Sequence, residues 1–317
     1  MTQTPPTTSE NLPPDADLPR SVHIKGLMLL VSGAFLLALG LEAVKALDQS
    51  KEVGWQTGLL ARAVFGMVFV LPIAWPSIRK FELLRPVILL RSGALALYLA
   101  GIYYAVAELT AAEATTLMGT RPIWIAFITM VVLGARFRLL FWVATGVMIL
   151  GTAMMLGMHF NEDLPVLFIA IASVFLSGLG YFLTDYVRDV PAAVLALHLT
   201  IVMLAVALAA YFMGGGHHHI ESLFDARGIV LLSTVGLCGT LFQVFLAKSM
   251  QLIGAVIGGL AGLLTAAFAY LMDLVFWDGT TFNIMHLAGL LLILIPSTWI
   301  GISKNIRSEE QEAKGSA

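Results

Sequence analysis

Long apolar runs broken by brief polar punctuation set the pattern of this chain. LMLLVSGAFLLALGLEAV, VLFIAIASVFLSGLGYFLT and LALHLTIVMLAVALAAYFM, which start at Leu27, Val166 and Leu195, are typical. A helix that crosses the hydrocarbon layer needs about 20 mostly apolar residues. Ten segments meet that requirement: 24–47, 55–75, 87–108, 111–134, 139–158, 164–186, 190–213, 228–250, 254–277 and 284–303. The connections are short, as in a bundle of antiparallel neighbours. The expected fold is therefore an all-α integral membrane protein with ten transmembrane helices.

Composition agrees with the pattern. Of 317 residues, 59% are hydrophobic and 12% charged, with a mean hydropathy of +0.89. Soluble domains are about half apolar and about a quarter charged. Residues 1–20 are rich in Pro, Thr, Ser and acids and have no apolar core, so they read as a disordered tail rather than a signal peptide. The closing NIRSEEQEAKGSA reads as a charged tail. The one cysteine, Cys238, allows no disulfide and no CxxC site.

Charge distribution orients the bundle. With the N-terminus inside, the inner loops and tails carry Arg20, Lys25, Arg79, Lys80, Arg85, Arg136, Arg138, Arg188, Lys304, Arg307 and Lys314. The outer side carries Lys51 and Arg227. Basic residues stay cytoplasmic, so both termini are expected there, in a multi-pass protein of a bacterial inner membrane.

The two halves of the chain look alike. YYAVAELTAAEATTLMGTRPIWIAFITMVVLGARFRLLFWVATGVMILGT, from Tyr103, has the same order of features as VFLAKSMQLIGAVIGGLAGLLTAAFAYLMDLVFWDGTTFNIMHLAGLLLILIPST, from Val244. Each has a helix exit, an Ala-rich re-entry, a long apolar helix, a polar turn and a final helix with a glycine, Gly146 or Gly289. An odd number of helices per half makes the second half enter from the opposite side. Inverted repeats of this kind are a transporter architecture with a midplane site between the halves.

On AELTAAEATTLMGTRPIWIAFITMVVLGARF (107–137) and GVMILGTAMML (146–156), the chain resembles the drug/metabolite transporter superfamily, in its EamA-type ten-helix branch. Pro122 stands where the family commonly has a proline. Ala135 and Arg136 replace the family's usual Gly-Glu turn, and Leu263 falls opposite Pro122 in the second half. The resemblance implies a cytoplasmic tail (1–23), a first five-helix repeat (24–158), a second (164–303) and a final tail (304–317). It also implies a carrier of small solutes, since members with assigned roles mostly export amino acids, nucleotide-like metabolites or drugs.

Ionisable residues at membrane depth mark candidate sites. Arg121, in the middle of segment 111–134, carries a permanent charge and precedes Pro122. Glu113, Thr116, Thr120 and Trp124 share a face bordered by Arg121, whereas Ile123, Phe127, Ile128 and Val131 suit lipid or packing. Pro122 removes a donor from the Met118 carbonyl and predicts a kink. Arg121 either contacts solute or pairs with Glu113, Glu42 or Asp273; a pair that solute breaks would be a gate. Glu42 and Lys45 lie one turn apart, as an interfacial pair or as part of a cavity. Arg62 has Gly58 and Gly66 at four-residue spacing.

Quieter stripes are Ser173, Ser177 and Tyr181; Ser233, Gly236, Thr240 and Gln243; and Tyr98, Tyr103 and Tyr104. Such hydroxyls often serve helix packing alone. Gly258, Gly262, Ala266 and Ala269 form a small-residue ridge that Asp273 continues. The expected solute contacts are Arg121, Trp124, Thr120, Arg62, Tyr103, Ser177, Tyr181 and Gln243. Glu113, Glu42 and Asp273 are the expected proton-coupling or gating groups.

Other chemistries lack their residues. The histidines of GGGHHH (214–219) are adjacent, an arrangement that rarely converges on one ion, so no metal site is expected. No HExxH, GxSxG or P-loop pattern occurs, so neither enzyme chemistry nor a cofactor is expected. No basic patch with interleaved aromatics indicates nucleic acid. The expected partners are a small-molecule solute and the lipid bilayer, the chain being a monomer or homodimer. The resulting reading is a secondary transporter that exports an amino acid or organic anion by alternating access. The alternatives are a broad-specificity drug/metabolite exporter with Arg121 structurally paired, or a non-transporting membrane sensor.

Overall fold

In the computed structural model, residues 20–51, 54–78, 84–108, 117–134, 137–156, 164–213, 225–276 and 284–302 are described. These residues are helical and contain no strand. The helices are α1 (Arg20–Lys51), α2 (Trp55–Ile78), α3 (Pro86–Glu108), α4 (Arg121–Leu133), α5 (Leu139–Leu156), α6 (Leu164–Thr184), α7 (Ala192–Met213), α8 (Ala226–Ile253), the single turn α9 (Ala255–Gly258), α10 (Ala261–Phe276) and α11 (Ile284–Ile302).

Six stretches are long and apolar enough to cross a membrane: Ser21–Val44, Trp55–Ile78, Pro86–Ala105, Leu164–Val187, Ala192–Met213 and Ala226–Ile253. The other four expected segments hold shorter apolar helices, Leu117–Leu133, Leu139–Gly151, Ala261–Met272 and Leu287–Pro296. The ends of several helices follow from local chemistry. The Asp225 carboxylate caps α8 by accepting from the Gly228 N–H at 2.6 Å. Gly134, at φ 64°, closes α4 in the left-handed conformation that a Cβ disfavours.

Two expected continuous helices are broken. Segment 111–134 does not run straight through Arg121. Leu117–Gly119 is helical, Thr120 is a turn, and α4 begins at Arg121 with Pro122 in its first turn. A proline fits that position because the N–H it lacks has no helical partner there. Segment 254–277 breaks too, with Gly259 and Leu260 forming a turn between α9 and α10.

The helices pack through small residues. α1 lies along α8 and touches α10, while α3 lies along α6 and α7. α2 packs on α7 and α8, α4 on α6, and α5 on α11. A Cβ on Gly236 would sit 2.4 Å from the Phe65 Cβ, and one on Gly151 would sit 2.7 Å from the Gly289 carbonyl oxygen. Backbones meet closely at these points, as expected where lipid gives no hydrophobic drive for helix association. Leu30, Leu59, Leu95, Val174 and Phe242 belong to the central core. Val68, Val131, Phe168 and Val230 point outward and are mostly exposed, as suits lipid contact.

Candidate functional site

Arg121 stands at the break that opens α4, with 1% of its surface exposed. Two close helix contacts put it there. A Cβ on Gly178 would sit 2.8 Å from the Trp124 Cβ, so α4 lies tight against α6. A Cβ on Gly180 would sit 2.5 Å from Leu95, so α6 lies tight against α3. Helices α3 and α6 thus bring their polar side chains to one guanidinium.

That guanidinium is held by two tyrosine rings and two hydroxyls. Its central carbon lies 5.1 Å from the Tyr98 ring centroid and 4.9 Å from that of Tyr181, both within cation–π range. Nε donates to Ser177 Oγ at 2.9 Å, and Nη2 donates to the Tyr98 hydroxyl at 2.6 Å. Ser177 in turn donates to the Val174 carbonyl at 2.8 Å. Nη1 is the one buried side-chain polar atom without a hydrogen-bond partner among the described residues. It faces Gly262 of α10, where a Cβ would lie 3.5 Å from Nη1 and 3.2 Å from the Met118 carbonyl oxygen. A buried, unpartnered donor costs roughly 1–3 kcal/mol, and more when charged. Among the described residues no carboxylate touches Arg121.

Arg62 of α2 is a second buried cation. Its Nη1 donates to the Tyr103 hydroxyl over a long 3.5 Å, and its central carbon lies 6.0 Å from that ring's centroid. A Cβ on Gly239 of α8 would sit 3.1 Å from Arg62 Nε. Gly58 lies against the Tyr103 ring, and Gly66 against Thr240 and the Gly236 carbonyl.

Residues 24–157 match the EamA-like transporter family.

That family consists of membrane transporters of the drug/metabolite type, and all of Arg62, Tyr98, Tyr103 and Arg121 fall inside the EamA-like segment. A solved structure described only as "Crystal structure of protein" shares the fold, with a TM-score of 0.69 at 15% identity. The superposition covers 88% of this chain and 96% of that one. No curated protein matches the sequence.

The fold gathers some of the residues singled out from sequence and separates others. Arg121 meets Ser177 and Tyr181 directly, and Arg62 meets Tyr103. Gln243 is buried on α8, one turn beyond Gly239. Thr120 turns its hydroxyl to its own backbone, donating to the Leu117 carbonyl at 2.7 Å. Trp124 does not line the Arg121 cluster: it packs on Gly178 and edge-on against Phe127 and Phe175, both partly exposed. Glu42 is buried on α1. Glu113 and the GGGHHH loop lie outside the described residues, and so does the side chain of Asp273. Ser173 donates to the Ile169 carbonyl, and Thr240 to the Gly66 carbonyl, so both serve packing.

Tyr98 belongs to the tyrosine stripe of the third helix, of which only Tyr103 was singled out as a contact, yet it supplies the shortest hydrogen bond to Arg121. Its signal in the sequence was its place in the tyrosine stripe Tyr98, Tyr103 and Tyr104 of α3. Arg91 was overlooked altogether. It is fully buried on α3, with Nε donating to Thr184 Oγ1 at 2.9 Å and Nη1 to the Leu195 carbonyl at 3.4 Å. Beside it, His198 Nδ1 and Ser92 Oγ are hydrogen-bonded at 2.8 Å.

Proposed function

We propose that the chain is a secondary transporter of the inner membrane that exports a small anionic or zwitterionic metabolite by alternating access. Ten membrane-spanning segments would form two inverted five-helix repeats, with both termini cytoplasmic. The packing pattern supports that architecture. Match the first five segments in order to the last five, so that α1 pairs with α6, α2 with α7, α3 with α8, α4 with the broken α9–α10 unit and α5 with α11. The α1–α8 contact then maps onto α6–α3, α1–α10 onto α6–α4, and α2–α8 onto α7–α3. The α2–α7 and α5–α11 contacts map onto themselves. A two-fold relation has this property. Arg121 and Gly262, equivalent in the alignment of the halves, also face each other, as residues beside such an axis do.

The observation that carries the function is the orphaned Nη1 of Arg121. A folded membrane protein keeps an intramembrane charge where it does work, and leaves a buried donor open where something else fills it. A solute carboxylate supplies that acceptor and a counter-charge, and the flanking tyrosine rings offer it apolar contact. The test is flux of radiolabelled amino acids and organic acids in proteoliposomes. Arg121→Gln should lower uptake of the transported solute by about a hundredfold, the scale of one lost charge-assisted contact at about 2–3 kcal/mol. Wild-type flux of every solute through that variant would sink the proposal.

A further inference from the structure

We infer that the seam between α1 and α10 seats one bilayer phospholipid with an acidic headgroup, its acyl chain in an apolar groove and its phosphate at Lys25. The inference does not depend on how solute binds and needs only that the chain spans a membrane.

The groove follows from a difference between two helix seams. α4 meets α6, and α10 meets α1. Aligning Arg121 with Gly262 puts Trp124 opposite Thr265 and Phe127 opposite Phe268. At the α4–α6 seam the Trp124 ring fills the space. It packs on Gly178 and stands edge-on to Phe127 and Phe175, with ring centroids 6.5 and 5.6 Å away. At the α1–α10 seam Thr265 brings no ring. It is buried, and its hydroxyl turns back to the Ala261 carbonyl at 2.7 Å. Phe268 instead meets Phe35 directly, edge-on, with centroids 5.7 Å apart. Beside that pair opens a groove of about 420 Å³, lined by Val31, Ser32, Phe35, Leu36 and Phe268.

Depth and charge choose the occupant. Val31, Ser32 and Phe35 are exposed on Ser21–Val44, a stretch long and apolar enough to cross a membrane, so the groove opens to hydrocarbon. Ile24 and Met28, both exposed, extend the apolar track from Phe35 and Val31 toward the start of α1. At its end stands Lys25, exposed and two turns before Ser32 on the same face. From Lys25 to Phe35 the helix rises about 15 Å, half of a hydrocarbon core about 30 Å thick. That is the depth of one leaflet. A lipid with its phosphate at Lys25 therefore lays its acyl chain along Met28 and Val31 and into the groove. A basic residue at this height attracts acidic headgroups, so charge complementarity and apolar fit point to one molecule.

The experiment is photo-crosslinking of the full chain in vesicles of equal parts phosphatidylglycerol and phosphatidylcholine. A diazirine is carried on the acyl chain of one lipid at a time, and adducts are mapped by peptide mass spectrometry. Labelling should concentrate on residues 31–36 and Phe268, several-fold above the outward-facing Val68, Val131 and Val230. Phosphatidylglycerol should label the groove about fivefold more than phosphatidylcholine, the worth of one basic residue at an anionic surface. Lys25→Gln should remove that preference and keep the groove labelled. Ser32→Trp, at an exposed position, should fill the groove as Trp124 fills the other seam and lower labelling there about tenfold. Val31→Trp serves the same end if Ser32→Trp does not fold. Labelling of the groove no stronger than at Val68, Val131 and Val230 would overturn the site. So would a Ser32→Cys variant that forms disulfides between copies in the same vesicles, since a second copy would then cover the groove. Equal labelling by the two lipids, or a preference that Lys25→Gln leaves unchanged, would overturn the placing of an acidic headgroup at Lys25.

Discussion

Arg91 and Arg121 are both fully buried, both held by side chains of α6, and both embedded in a membrane helix bundle. They differ in completeness. Arg91 reaches a threonine hydroxyl and a backbone carbonyl, and none of its buried nitrogens is left open. Arg121 reaches two hydroxyls and two rings and still has a nitrogen with no partner. A buried arginine is thus no sign of a site in itself; an open donor on it is. Arg91 ties α3 to α6 and α7 at the end of the bundle where Arg85 pairs with Asp189 and Arg188 with Asp185. That cluster reads as a clamp, and the Arg121 cluster is the proposed receptacle.

The comparison can be broken from either side. Thr184→Val removes the acceptor of Arg91 Nε and leaves the clamp with an open donor of its own. It should cost about 3 kcal/mol of stability, the penalty for orphaning a buried charged donor. Denaturant or thermal unfolding reads the loss, and flux per folded carrier should hold. Tyr98→Phe strips an acceptor from Arg121 but keeps the ring over the guanidinium. About 2 kcal/mol of stability should go with it, and flux should fall by about tenfold.

Gly262→Ser attempts the reverse, making Arg121 as complete as Arg91. The new hydroxyl would lie within reach of Nη1, since the Cβ sits 3.5 Å away. The same Cβ would come within 3.2 Å of the Met118 carbonyl oxygen, which offsets the new bond, so stability should change by less than about 1 kcal/mol while transport drops. The smallest effect is expected at Trp124→Phe. The ring sits at the lipid-facing edge of α4 among Phe127 and Phe175, so flux should change by less than about twofold. A large loss of flux there would place solute on the wrong side of α4.

Hydropathy alone was enough to locate the six long spans, because an apolar run of about 20 residues with scarcely a charge suits little besides a membrane crossing. The break at Thr120 was half legible. Pro122 announced a kink, but the sequence put Arg121 inside a continuous helix instead of at the start of one. The break at Gly259–Leu260 was not legible, since GAVIGGLAG reads as readily as a packing ridge. In the folded chain Gly258 is pressed against Met250 and Gly262 against the Met118 carbonyl, contacts that tertiary packing creates.

The site shows the same limit. Sequence singled out Arg121 and then looked for its partner among carboxylates. The partners that the fold supplies are hydroxyls and rings from α3 and α6, which depend on Gly178 and Gly180 drawing three helices together. No periodicity within one helix reveals which neighbour it will have. Arg91 escaped notice for a related reason. Five residues into α3 it looks like a snorkelling interface residue, and only the approach of Thr184 and Leu195 shows it to be enclosed.

The choice of arginine over lysine or histidine at the head of α4 has a bearing on how the proposed carrier would be driven. A guanidinium keeps its proton under all physiological conditions. The pull of Arg121 on an anion is therefore the same whether the site opens to a neutral cytoplasm or to an acidified exterior. An acid exterior then cannot unload the site by altering this residue. Any dependence of flux on the proton gradient must enter through a different group or through the solute itself, whose acidic groups gain protons on the acid side and loosen their own hold.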